Sequence, residues 1–514
     1  MHALLLGIVV AQATPASSLS VSTTSVNLNP AQQQVLTVSG ATAPVEASLD
    51  QRLVNVNVSP DGSSVTVTAT QATGNDTLHL VDANGARADV TIRVAFNAGT
   101  ILPQTSLTVT GNPVDPAWLT QQVARWLARM TQAQPGAQTT IGTVPPPSAP
   151  LAPGQSTQFV VPVQIAGNGH YFDQSGSTTV NVQNVAVAPF EPNVLFYDDD
   201  PEHVTQDGVL FRGRITAATP ARLYYYHDDG QDPHRLVVAL RSDSQDPTSV
   251  QIVEAWAGPN MDVMHVGHTV TKNFLLTKMH DQGIIVSLSQ DEPFLLADVP
   301  MASRQLVSGT VDLHVLSGGP VTATVLALSG DANPRSLLDG PVLPGDGHRR
   351  TGVFVVSGFG SHTLSYSVGG ANATLVIGDT DPTPPSADPS ASGHDYGDYG
   401  VSHSIELTLS NPGASPATAY LYFRPLAGPA RASFVVNGAL VEIGCVRVPT
   451  PYQIEAFDLS PGQTYRAVVQ TMTDGGSFYP AEIGVTAAPP QPRAPAINAP
   501  DGCFPKPESS PGSQ

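Results

Sequence analysis

The sequence predicts a mainly β chain, a multidomain string of antiparallel β-sandwiches with one small α+β unit. Three observations predict it. Short runs alternate apolar and polar residues, as in Val54, Val56 and Val58 with Asn55 and Asn57, in Val65, Val67 and Ala69 with Thr66 and Thr68, and in Val90, Ile92 and Val94. Each such run has one buried face. Turn signals separate them: Pro60-Asp61-Gly62, and Asn84-Gly85, which predicts a type I′ hairpin because both central residues of that turn need positive φ. Finally, 514 residues exceed one ordinary core, and length alone implies about three to five domains.

The first sandwich is expected over residues 14–98. Its opening, LSVSTTSVNLNPAQQQVLTVSGA, and its close, VTVTATQATGNDTLHLVDANGARADVTIRV, resemble the bacterial immunoglobulin-like domains repeated in surface proteins and adhesins. The resemblance covers residues 19–96 and rests on strand and turn patterns. It implies an immunoglobulin-like first domain, placement at the cell envelope or outside it, and a role in spacing or contact. No functional residue is carried over from it.

Before this domain, an apolar run over residues 3–10 followed by Ala11-Gln12-Ala13 fits the apolar core and small-residue cleavage site of a secretory signal, expected over residues 1–13. After it, residues 99–190 read as a small α+β domain. Its helix is expected at about 116–133: Asp115 is a natural cap, Pro116 suits the first turn, and Leu119, Val123, Trp126, Leu127 and Met130 form one apolar stripe. Pro135-Gly136 stops it. Strand patterns then dominate residues 191–300, a β-rich domain, and 301–379, a further β-sandwich, with the boundary near Pro300. Residues 380–398 form a linker whose Pro382, Pro384, Pro385 and Pro389 favour an extended spacer. A C-terminal sandwich follows over 399–488, with a hairpin at Asn437-Gly438. Residues 489–514 are a Pro/Ser-rich tail.

Composition narrows the function classes. Charged residues are 12% of the chain and hydrophobic ones 41%, a balance that suits secreted β proteins. The formal net charge of −20 argues against a nucleic-acid partner, which needs a basic face. No later stretch approaches the run of about 20 apolar residues that a spanning helix needs, so no transmembrane segment is expected. The two cysteines, Cys445 and Cys503, are expected to form a disulfide, since an exported chain with a lone pair is most simply bridged. The expected location is extracellular, periplasmic or on the cell surface.

Four clusters are candidates for chemistry. Asp198, Asp199, Asp200 and Glu202 with His203 concentrate carboxylates that suit a calcium loop, but they lack its alternating ligand positions and read as a solvated turn. His265 and His268 suit a transition metal if a third ligand converges; placed on a strand, they point to opposite faces. Tyr224 and Tyr226 share one face of a strand that runs on to His227, Asp228 and Asp229; they read as sheet-stabilising aromatics with a sugar-stacking platform as the alternative. His394, Asp395, Tyr396, Asp398 and Tyr399 make an adaptable polar and aromatic loop. No nucleophile elbow, phosphate loop, dinucleotide fingerprint or zinc-protease motif is written in the chain. Two readings follow: a secreted or surface structural and interaction protein with a protein or glycan partner, acting without cofactor or turnover; or a metal- or glycan-binding protein or hydrolase with its site in residues 191–300.

Overall fold

A computed structural model describes residues 18–496 and Cys503, except 231, 331, 380, 381, 389 and 391. The expected signal at 1–13, and the tail beyond 496 apart from Cys503, lie outside the described residues. The described residues pack as two compact units, one drawn from within 1–105, 124–144 and 160–179, the other from within 106–123, 145–159 and 180–514.

In the first unit, the alternating runs build an immunoglobulin-like sandwich. Ser20–Val21, Gln33–Ser39, Ser64–Ala69 and Val54–Val58 form one sheet; Ser25–Leu28, Arg87–Val94, Gly74–Val81 and Glu46–Leu49 form the other. The inward residues of both, among them Leu36, Val65, Val67, Leu78, Leu80 and Ile92, make one buried core. The turn at Asn84-Gly85 differs from expectation. Only Gly85 has positive φ, at 80°, because Asp82 Oδ1 accepts from the backbone N–H groups of Asn84 and Ala86, both at 2.9 Å. That bonding fixes a longer turn ending in a left-handed glycine in place of type I′.

Residues 99–190 divide between the two units instead of forming one of their own. Helix α1, Pro116–Met130, ends three residues before the expected stop, and Gln132–Ala133 is already a strand. Asp115 caps it as expected, accepting from Ala117 and Trp118 at 2.8 and 2.9 Å. Leu119, Val123 and Leu127 of its stripe are fully buried.

The second unit is larger. Gly283–Leu288, Thr248–Asn260, Leu306–Ser317, Ala221–Asp229, Val194–Asp198 and Thr351–Val355 are successive neighbours in one sheet; Gly208–Ile215, Val321–Ser329, His234–Ser242 and Phe294–Met301 make a second. Phe196 of the first and Phe211 of the second have ring centroids 5.7 Å apart. Strands from both sides of residue 300 therefore interleave in the same sheets, and no boundary falls there. Phe294–Met301 pairs with His234–Ser242, about sixty residues earlier, a non-local pairing to which local turn signals are blind.

A C-terminal sandwich completes the unit. Ser361–Ser367, Ser402–Ser410, Thr464–Met472, Ala430–Val436 and Ala439–Val446 form one sheet, and Ala373–Ile377, Ala481–Thr486, Ala417–Pro425 and Tyr452–Leu459 the other. Its first two strands thus come from the segment expected to close the preceding sandwich. They belong here because Ser361–Ser367 pairs in parallel with Ser402–Ser410 and Ala373–Ile377 pairs with Ala481–Thr486. The proline segment between them is no free spacer. Val355 N–H donates to Pro385 O and Ala387 N–H to Val353 O, each at 2.8 Å, so residues 385–387 lie along a sheet edge, where Pro385 leaves no ladder bond unmade.

A second helix, α2, Val263–Met279, was not expected. Asp262 caps it by accepting from His265 N–H at 3.0 Å. Its Phe274 and Leu275 pack with Val253 and Ala255 of the large sheet and with Val435 and Met472 of the C-terminal sandwich. Gly267 lies inside this helix because a Cβ there would sit 1.9 Å from Gly475 O. The close approach brings the loop that follows Thr464–Met472 against the helix. Among the described residues, no helix is long and apolar enough to cross a membrane.

Candidate functional site

Strands Val194–Asp198 and Ala221–Asp229 run parallel, with Tyr197 opposite Tyr224. Strand alternation sends Tyr224, Tyr226 and Asp228 to one face, and Tyr225, His227 and Asp229 to the other. The first face opens into a cleft of about 900 Å³ whose walls include Tyr197, Tyr224, Tyr226, Tyr399, Asp199 and Asp228. Tyr197 and Tyr224 have ring centroids 5.8 Å apart, and the Tyr224 and Tyr399 rings, 6.2 Å apart, are nearly parallel. At the mouth stand three large apolar side chains that remain exposed: Met261 at 65%, Tyr396 at 49% and Phe478 at 41%. Scattered exposed hydrophobics are ordinary; these three line one opening.

The polar part of the cleft is ordered by Arg350. Its guanidinium reaches Glu202 at 2.7 Å, Asp346 at 3.1 Å and Asp199 at 3.7 Å. Asp199 is 6% exposed. Its Oδ2 accepts from the Tyr197 hydroxyl at 3.2 Å, while Oδ1 has no hydrogen-bond partner among the described residues. Burial pushes the Asp199 carboxyl well above the usual carboxylate range, and Glu202 adds to the push against Arg350. Opposite, His203 Nδ1 lies 2.6 Å from Asp228 Oδ1, and that bond raises the imidazole pKa. Tyr399 is held by its N–H on Asp395 Oδ1 at 3.0 Å and its hydroxyl on Ser477 O at 2.7 Å.

Three of the four sequence clusters therefore meet at one place. The acidic segment is a cleft wall, not a solvated turn, although its members diverge. Glu202 and Asp199 line the cleft, Asp198 points away to within 3.0 Å of His227 Nε2, and Asp200 accepts from the Asp346 N–H. Burial works against a charged His227, yet Asp198 outweighs it and raises its pKa. Arg304, Arg350, Met261 and Phe478 also line it and carried no local signal in the sequence.

The fourth cluster lies elsewhere. His265 and His268 are one turn apart on α2, not on a strand. His268 is 3% exposed and sits between Asp474, 2.6 Å from Nδ1, and Glu442, 3.1 Å from Nε2. Among the described residues, no three His, Cys, Asp or Glu side chains are grouped to hold a metal ion. Burial alone would lower the His268 pKa, but Asp474 and Glu442 overcome it and push it up to about 9. A group raised on folding stabilises fully below its unfolded pKa, near 6.5, and that stability is lost as pH rises through about 9. Urea titrations should show a loss on the order of 3 kcal/mol across that window, absent in His268→Gln. An identical pH profile in the variant would show that the two carboxylates do not hold a charged imidazole.

No family model and no curated protein matches the chain. Solved structures that resemble parts of it include the fibronectin(III)-like modules of Clostridium thermocellum CbhA, at 10% identity over 34% of this chain and 98% of that one, with a TM-score of 0.16. Another is Bacteroides ovatus SGBP-B of a mixed-linkage glucan utilization locus, bound to a mixed-linkage heptasaccharide, at 10% identity over 58% of this chain and 73% of that one, TM-score 0.13. A third is the Yersinia pseudotuberculosis adhesin InvE, at 11% identity over 36% and 71%, TM-score 0.13. Likenesses this remote carry no argument about this chain, whose fold rests on its own sheets.

Proposed function

We propose that this chain is an exported or surface-displayed interaction protein whose β-sandwiches position a glycan-binding cleft, and that it works by binding. The observation that carries this reading is the joining, in one cleft, of exposed rings at the mouth with a buried carboxyl that has a free oxygen at the wall. A saccharide offers both complements: its C–H faces pack on aromatic rings, and its hydroxyls bond to carboxylates and guanidinium groups. Phe478 and the face of Tyr396 that is not stacked on His394 stand at the mouth; Asp199, Glu202 and Arg350 supply polar partners within. The bond between Cys445 and Cys503 supports an oxidising compartment.

The test is calorimetry with a panel of neutral oligosaccharides on the full chain. Tyr396→Ala and Phe478→Ala, both at exposed positions, should each weaken binding by about 1–2 kcal/mol, or roughly five- to thirtyfold, without moving the unfolding midpoint. Undiminished affinity in the double variant, or no oligosaccharide bound at all, would sink the reading. Release of shorter sugars during the titration would replace binding with hydrolysis as the function.

A further inference from the structure

We infer that the glycan held in this cleft carries a free amine, as an unacetylated hexosamine does, and that Asp199 receives its ammonium; the inference rests on the glycan reading above. The charges around the cleft point to a cation. Asp199, Glu202, Asp228 and Asp232 line it against His203, Arg304 and Arg350, and none of the described lining residues is a lysine. The bases nearest the wall are already engaged, His203 with Asp228 and Arg350 with Glu202 and Asp346. Among the described residues, Asp199 Oδ1 has no hydrogen-bond partner, and Tyr197, Tyr224, Tyr226 and Tyr399 line the same cleft.

Burial favours the neutral form of Asp199 in the free chain, and its ionisation on binding needs a positive partner within hydrogen-bond reach. Arg350 Nε is 3.7 Å away and faces the other oxygen. An ammonium at Oδ1 supplies the partner. A uronic acid or sulfated sugar would meet the same carboxylates with like charge. An N-acetyl group is neutral and bulkier, and forfeits the ionic contact.

Three hexamers of one β-1,4-linked geometry separate the possibilities: glucosamine, N-acetylglucosamine and glucose, titrated into the full chain at low and high salt. The glucosamine hexamer should bind on the order of tenfold tighter than the other two, and high salt should shrink that margin. Asp199→Asn should reduce the margin to near unity. Because this residue is buried, Asp232→Asn at an exposed position of the same lining provides a second reading, with a smaller loss for the glucosamine hexamer alone. Equal affinity for the three hexamers would overturn the amine and leave the glycan reading standing. No binding of any hexamer would remove both. A margin unaffected by either variant would also overturn the inference, since the preference would then arise away from these carboxylates.

Discussion

Replacing Arg222 with Met should lower the unfolding free energy of the second unit by about 3–5 kcal/mol, the range seen when one partner of a buried ion pair is removed. Arg222 is 1% exposed. Its guanidinium grips Asp312 at 2.6 and 3.1 Å, donates to Gly400 O at 2.9 Å and to Ser402 Oγ at 2.6 Å, and lies 4.8 Å from the centre of the Phe274 ring. One side chain thereby ties two strands of the large sheet to α2 and to the start of the C-terminal sandwich. Burial opposes ionisation of Asp312, but Arg222 and Lys278 outweigh it and hold its carboxyl below the usual range. Without Arg222, Lys278 at 3.1 Å is its remaining cation. Equilibrium urea unfolding measures the loss, and the combined Arg222→Met, Asp312→Leu variant should recover most of it because no uncompensated charge remains. An unchanged midpoint in the single variant would mean that water or Lys278 replaces the arginine at no cost.

That joint lies at the limit of what the sequence discloses. Where one face of a strand is buried and the other wet, the pattern is plain: Val65, Val67 and Ala69 alternate in the sequence and are all buried in the first sandwich. Helix α2 hides for the opposite reason. It is covered on two sides, so Met264, Val266, Val270, Phe274 and Leu275 leave no single apolar stripe. Val263, Val266 and Val270 with Thr269 and Thr271 carry strand-like propensity, and Gly267 weakens the helical signal further. The cleft was half visible. Tyr224, Tyr226 and Asp228 share a strand face by simple alternation, and the acidic and tyrosine-rich segments stand out by composition. That they meet is a consequence of pairing between strands far apart in the chain, which no local pattern encodes. Arg350, which orders the carboxylates, lies about 150 residues from Asp199 and looked like any surface arginine.

Removing the disulfide should have an effect of similar size on the C-terminal sandwich. Cys445 and Cys503 are bonded, with a sequence separation of 58 and Cα atoms 5.6 Å apart. Closing a loop of that length restricts the unfolded chain by about 4 kcal/mol on the chain-entropy estimate. The folded side has its own attachments. Gly444 N–H donates to Ala494 O at 3.0 Å, Gln453 N–H to Gln491 O at 2.9 Å, and Arg447 to Cys503 O at 3.2 Å. These bonds let the folded sandwich persist when Cys445→Ser and Cys503→Ser are combined, so the cost should appear in the equilibrium and not as failure to fold. The urea midpoint of the variant should fall with little change in slope in the linear region, and the segment after Pro489 should become the first site of proteolysis. A midpoint equal to that of the native chain would mean that the crosslink restricts the unfolded ensemble far less than its length implies. The same variant bears on the cleft. Cys445 lies on strand Ala439–Val446, whose Glu442 holds His268 of α2, while Gly475, which packs on that helix, leads into Phe478 at the cleft mouth. If oligosaccharide affinity survives the loss of the disulfide, the cleft is held by the α2 contacts, and the crosslink serves only to keep the sandwich closed.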